Sequence, residues 1–107
     1  MLTLSAQPRA AARARRWVDQ LDGRAHPETL AKVRVLLTEM VTTAMHGGDA
    51  QELRLRLAAV DGVIRGEVSI RGGDLERPRG FALLLARRVA ARWGLNDGVL
   101  WFEVEDR

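Results

Sequence analysis

Between Pro27 and Ile70 the spacing of apolar residues changes period once, and that change limits what the chain can fold into. Leu30, Val33, Leu37, Met40, Val41 and Ala44 recur every three or four residues, a continuous stripe on a helix from near Pro27 to about His46. Gly47-Gly48 stops that helix. Leu53, Leu55 and Leu57 then alternate with Arg54 and Arg56, the two-residue period of a half-buried strand. Asp61-Gly62 is a hairpin signal, and Val63 to Ile70 reads as the returning strand, with Ile64, Val68 and Ile70 on one face. A one-sided helix and a one-sided hairpin each need an apolar partner, so helices stacked on one face of a sheet satisfy both.

The remaining segments extend the same plan. Leu2 and Leu4 flank Thr3 in a short edge strand, and Pro8 is placed to open a helix, where its missing N–H costs nothing. Ala11, Ala14, Trp17, Val18 and Leu21 form that helix's inner side, and Asp22-Gly23 ends it. Arg9, Arg13 and Arg16 share a different side, read as solvated surface. Arg71 to Arg79 is a polar loop, and Phe81 to Trp93 reads as a third helix. Trp93-Gly94-Leu95, the turn Asn96-Asp97-Gly98 and Val99 to Glu105 make a closing hairpin with Leu100, Phe102 and Val104 inward. Trp101 falls on the outer face, where an exposed tryptophan is suited to anchor a second subunit, giving a homodimer. The order β-α-α-β-β-α-β-β predicts a two-layer α/β sandwich: a mixed, mainly antiparallel sheet with three main helices on one face. Trp17 and the Leu30–Ala44 stripe are expected against the inward side of the Leu53–Leu57 strand.

Composition excludes several classes. The 107 residues suit one domain, 1–107. No apolar run approaches the roughly 20 residues of a membrane span, and Met1 to Gln7 lacks the apolar region of a signal peptide, so a cytoplasmic protein without membrane contact is expected. No cysteine is available for disulfides or thiolate metal sites. The net charge of +3 comes from 17 basic residues, Lys32 being the one lysine, interspersed with 14 acidic ones. No basic run stands alone, which argues against nucleic acid.

Leu36 to Gly48, LLTEMVTTAMHGG, resembles the N-box of the GHKL ATPase superfamily in its branch of bacterial anti-sigma-factor serine kinases, where the pattern is roughly E-L-V-T-N-A-V-x-H. Glu39, Val41, Thr42 and Ala44 match, with Met40 and Met45 conservative. ARRWV at 14–18 is similar to that family's first helix, LRLRL at 53–57 and GEVSI at 66–70 to its central strands. RGFALLLARRVAARWG at 79–94 is similar to the G-R-G-L-x-L-V segment and its following R-W-G, and VLWFEV at 99–104 to the last strand. The pieces run in family order over nearly the whole chain. The resemblance implies a histidine-kinase-like (Bergerat) ATPase domain. Its partners would be proteins of the partner-switching type, a sigma factor or an anti-sigma antagonist.

The nucleotide site that this resemblance implies is degenerate here. Glu39 stands where the family has its general base. Thr43 replaces the asparagine that binds Mg²⁺, and its shorter side chain does not reach the same place; a back-bond to the Glu39 carbonyl is expected instead. His46 arrives one position before the family's histidine, whose register falls on Gly47. Ile70-Arg71-Gly72 matches the D-x-G that reads adenine, so Ile70 would turn an apolar side chain toward the helices; the other register would use Gly73-Asp74. Gly80 survives at the start of the last helix, but Pro78 replaces the first glycine of the lid, about Gly73 to Arg79, and removes an N–H. Arg77 and Arg79 remain as cations for phosphates. Losing the metal ligand and the adenine acceptor removes two interactions of about 1.5–3 kcal/mol each, on the order of 10²–10⁴-fold in affinity. The expectation is a regulatory protein acting by contact, with no cofactor and no metal. The alternative is an active serine kinase using ATP with Mg²⁺.

Overall fold

The computed structural model describes residues 1–46 and 48–106. Among them, five strands form one sheet in the order β1-β2-β3-β5-β4: β1 Leu2–Ser5, β2 Glu52–Val60, β3 Val63–Arg71, β4 Arg92–Asn96 and β5 Val99–Glu105. Three helices, α1 Ala10–Trp17, α2 Pro27–Met45 and α3 Gly80–Val89, pack on one face. This is the expected two-layer α/β sandwich, and every ladder in its sheet is antiparallel.

α2 holds the layers together. Pro27 opens it behind an extended His26, where a proline's fixed φ and absent N–H fit. Every residue of the expected stripe is buried, and Thr29 and Leu36 join it. The stripe is wider than read because α2 is the middle helix, packed between α1 and α3 as well as on the sheet. Gly48, at φ +77, follows its end and donates its amide to the Met45 carbonyl at 3.1 Å; the Gly47 half of the expected stop lies outside the described residues.

α1 begins later than the sequence suggests. Pro8 is exposed in a turn that closes when the Ala10 amide reaches the Gln7 carbonyl at 2.9 Å. The buried positions are accordingly Ala10, Ala14 and Val18, four residues apart, while Ala11 and Trp17 are half-buried at the core's margin. A 3₁₀ turn, Val18–Leu21, then carries Leu21 inward.

The third helix is shorter than expected. It ends at Val89, and Arg92–Asn96 is strand β4. Trp93 pairs with Phe102 and Leu95 with Leu100, so these residues extend the sheet's apolar face and shield one side of β5. The helix-forming sequence ARRVAARW contains no stop signal; the ladder to β5 overrides it.

Leu53, Leu55, Ile64, Val68, Leu100, Phe102 and Val104 make the sheet's contribution to the core. Gly66 lies opposite Phe102, whose ring occupies the space a side chain there would need: an added Cβ would stand 2.4 Å from the ring. The outer face is polar. Trp101 is only half-buried there and does not stand free, because Arg65 lies 4.4 Å from its ring centroid and its Nε1 donates to Asn96 Oδ1 at 2.8 Å. Glu103 binds Arg92 at 2.7 Å and Arg65 at 3.4 Å, and these cations, Arg92 first, hold its carboxylate below the usual range. Among the described residues, no helix is long and apolar enough to cross a membrane.

Candidate functional site

The last turns of α2 place Glu39, Thr42, Thr43 and His46 on one side by their three- and four-residue spacing. The segment leading into α3 lies across from them. Together they line a cleft of about 350 Å³, bounded on the far side by Glu76, Arg77, Arg79, Gly80 and Phe81. That volume is within the range of ligand pockets, roughly 300–1,000 Å³. A smaller cavity of about 60 Å³ continues from it, sharing Thr43 and Glu76 and reaching Ile70, Gly72 and the Asp49–Ala50 loop. The five expected site residues therefore converge: Glu39 and Gly80 border the wide cleft, Ile70 and Gly72 the small cavity, and Thr43 both.

The hydroxyls of α2 differ from expectation. Thr38 donates to the Arg34 carbonyl at 2.7 Å and Thr42 to the Thr38 carbonyl at 2.9 Å. The bond expected from Thr43 to the Glu39 carbonyl is absent. Helical threonine divides between two rotamers, only some of which return the hydroxyl to the preceding turn, and the hydroxyl of Thr43 borders the cleft without a bond among the described residues.

The narrow end is closed by backbone. β3 ends at Arg71, whose carbonyl accepts the Gln51 amide at 2.8 Å. Gly72 and Gly73 follow at φ +93 and +71, pressed onto the loop before β2. A Cβ on Gly72 would come within 2.6 Å of the Asp49 carbonyl, and one on Gly73 within 2.7 Å of the Asp49 side chain. Ile70 remains on the sheet's inner face, half-buried and paired with Leu53, and borders the cavity with Thr43 and Ala44 of α2; no residue of α3 borders it. Asp74, beyond the strand end, borders the same cavity.

The lid is short and partly self-satisfied. Arg79 binds Glu76 at 2.9 Å, both largely exposed, while Pro78 between them in sequence is buried. An ion pair this exposed contributes little to stability. α3 opens at Gly80, φ +57, and no side chain caps its first turn. Residues not singled out by the sequence reading also line the site: Asp49, Glu76 and Phe81, the last 64% exposed. Only the Gly72-Gly73 pair hinted at the close approach of the Asp49 loop. Among the described residues no three acidic or imidazole side chains are grouped to hold a metal ion.

Fold and site together define a two-layer α/β sandwich with a cleft between the end of one helix and the start of another, pinched where it meets the sheet. No protein-family model matches the chain, and no curated protein does.

Proposed function

We propose that the chain is a degenerate relative of the small GHKL anti-sigma serine kinases, a cytoplasmic regulatory protein that acts by contact with a protein partner and binds ATP weakly or not at all. The observation that carries this reading is the pinched end of the cleft. At about 60 Å³, bordered by Ile70 where the family has its adenine-reading carboxylate, it is far below the ~300 Å³ at which ligand pockets begin. The close approach of Gly72 and Gly73 to the Asp49 loop supports the reading that adenine has little room there. The phosphate end loses a backbone donor as well, since Pro78 offers no N–H, though Arg77 and Arg79 both border the cleft. ATP with Mg²⁺ is thus a poor fit to these residues, and no catalytic step is assigned to it.

One arrangement favours the kinase alternative: Glu39, Thr43 and Gly80 do border a single cleft of about 350 Å³, as a base, a hydroxyl and a helix start would in an active enzyme. Calorimetry with Mg-ATP separates the two. The expected result is no saturable heat at physiological ATP, with partial binding restored by Ile70→Asp combined with Thr43→Asn. Micromolar binding by the unaltered chain would overturn the proposal and favour the kinase.

A further inference from the structure

A second surface is built on the opposite flank of the helical layer, independent of the nucleotide reading. α1 packs over the sheet through Ala10, Ala14 and Val18, which leaves a different side, carrying Arg9, Arg13 and Arg16, turned along the margin where β1 ends the sheet. The three arginines, with Leu4 and Ser5 of β1, line a groove of about 320 Å³.

Two observations indicate what this groove accepts. The first is charge. Arg34, Arg54, Arg65, Arg71, Arg79 and Arg92 each have an acidic partner; Arg9, Arg13 and Arg16 are among the arginines that have none among the described residues, and these three line one groove. Arg9 also stands at the N-cap of a helix with no acid in its first turn and no side-chain cap, so a cation faces the positive end of the helix dipole there, while Arg16 lies in the last turn. An anion in the groove would relieve both.

The second observation is the open edge of β1. The strand pairs with β2 on one side only. The Ala6 amide bonds the Gln51 carbonyl at 3.1 Å, and alternation along an antiparallel strand then turns the backbone groups of Ser5 and Thr3 away from β2. The Ser5 carbonyl is taken by the Gln7 amide at 2.9 Å, which leaves the Thr3 amide and carbonyl and the Ser5 amide for an added strand. The spacing agrees with this. Arg9 and Arg13 are about 6 Å apart along the helix axis, at 1.5 Å per residue, and Arg16 follows about 4.5 Å further on. Alternate residues of an extended segment are about 6.6 Å apart.

We propose that this groove binds an extended acidic segment of a protein partner, which adds a strand to the free edge of β1 and sets carboxylates at alternate positions against Arg9 and Arg13, with Arg16 adding to the positive charge of the same groove. Strand addition of this kind draws affinity from main-chain hydrogen bonds and specificity from alternate side chains. Single-stranded nucleic acid is the weaker match, because such sites stack bases on aromatic side chains and no residue lining this groove is aromatic.

Fluorescence anisotropy on the full chain tests the proposal with three labelled probes: a peptide of glutamates alternating with threonines, a peptide of the same composition in two blocks, and a single-stranded oligonucleotide. The alternating peptide should bind best, and more weakly as salt rises. Arg13→Glu with Arg16→Glu should weaken it at least about tenfold while circular dichroism stays unchanged. Thr3→Pro removes only an amide directed at the open edge, a position a proline tolerates, and should weaken the peptide comparably. Equal binding of both peptides, tighter binding of the oligonucleotide, or full binding by a folded Thr3→Pro variant would each overturn strand addition. If Thr3→Pro does not fold, the comparison of the two peptides and the arginine variant decide.

Discussion

Gly66→Ala is the smallest change that tests how closely the layers meet at the centre of the sheet. The alanine Cβ would stand 2.4 and 2.5 Å from two atoms of the Phe102 ring, where carbon contacts settle near 3.5–4.0 Å. The ring must therefore retreat by roughly 1 Å or more, and it has no room, being fully buried and paired on its other side with Trp93. Overpacking of this kind costs about 1–3 kcal/mol, and a clash this deep belongs at the upper end. Against it, replacing glycine in a strand gains about 0.4–1 kcal/mol from the less flexible unfolded chain. The net expectation is a loss of about 2 kcal/mol, which lowers Tm by roughly 8–16 °C in a domain of this size. Urea denaturation with unchanged m-value would measure it. Phe102→Leu, destabilising alone, should cost less in the Gly66→Ala background, with a coupling of about 1 kcal/mol in the cycle. A Gly66→Ala variant as stable as the parent, or more stable, would refute the contact.

Two further expectations concern the charged ties between the ends of elements. Asp106 accepts the His26 amide at 3.0 Å and faces its Nδ1 at 2.8 Å, and these bonds, the amide first, hold the carboxylate below its ordinary range. A depressed folded pKa means that the contribution is complete above the unfolded value, near 3.9, and is lost as pH falls through the folded one. Asp106→Asn should therefore destabilise at neutral pH, and the gap to the parent should close in denaturation curves taken below about pH 4. Arg34 bridges Asp19 at 2.8 Å and Asp22 at 2.9 Å, tying α2 to the 3₁₀ turn after α1; the Asp19 bond leads in raising its pKa. Arg34→Ala should cost about 0.5–1 kcal/mol in thermal unfolding, less at high salt.

The parts of this protein that depend on a short stretch of chain were legible without coordinates. The stripe from Leu30 to Ala44 defined α2, and the alternation of Leu53, Leu55 and Leu57 defined β2. Asp61-Gly62 and Asp97-Gly98 placed both hairpins, because two consecutive residues at positive φ favour these side chains wherever they occur. The element order followed, and with it the sandwich. The sequence also marked Glu39, Thr43, Ile70, Gly72 and Gly80 as neighbours, through a resemblance and not through any local rule.

Contacts between distant segments decided the rest. Arg92 and Trp93 read as helix because their neighbours are helix formers, yet they pair with β5, since Trp93 gains an apolar seat beside Phe102 that no local preference could supply. Thr38 and Thr42 return their hydroxyls to the helix while Thr43 does not, although all three have the same local options. The width of the cleft depends on how the Asp49 loop meets Gly72 and Gly73, two segments joined only by the packing of β2 on β3. The basic groove likewise depends on how α1 is rotated over β1, which the burial of Ala10, Ala14 and Val18 sets. Sequence periodicity says which side of an element is apolar. The volume left between two such elements depends on side chains that meet only after the chain has folded, and there the tertiary structure alone decides.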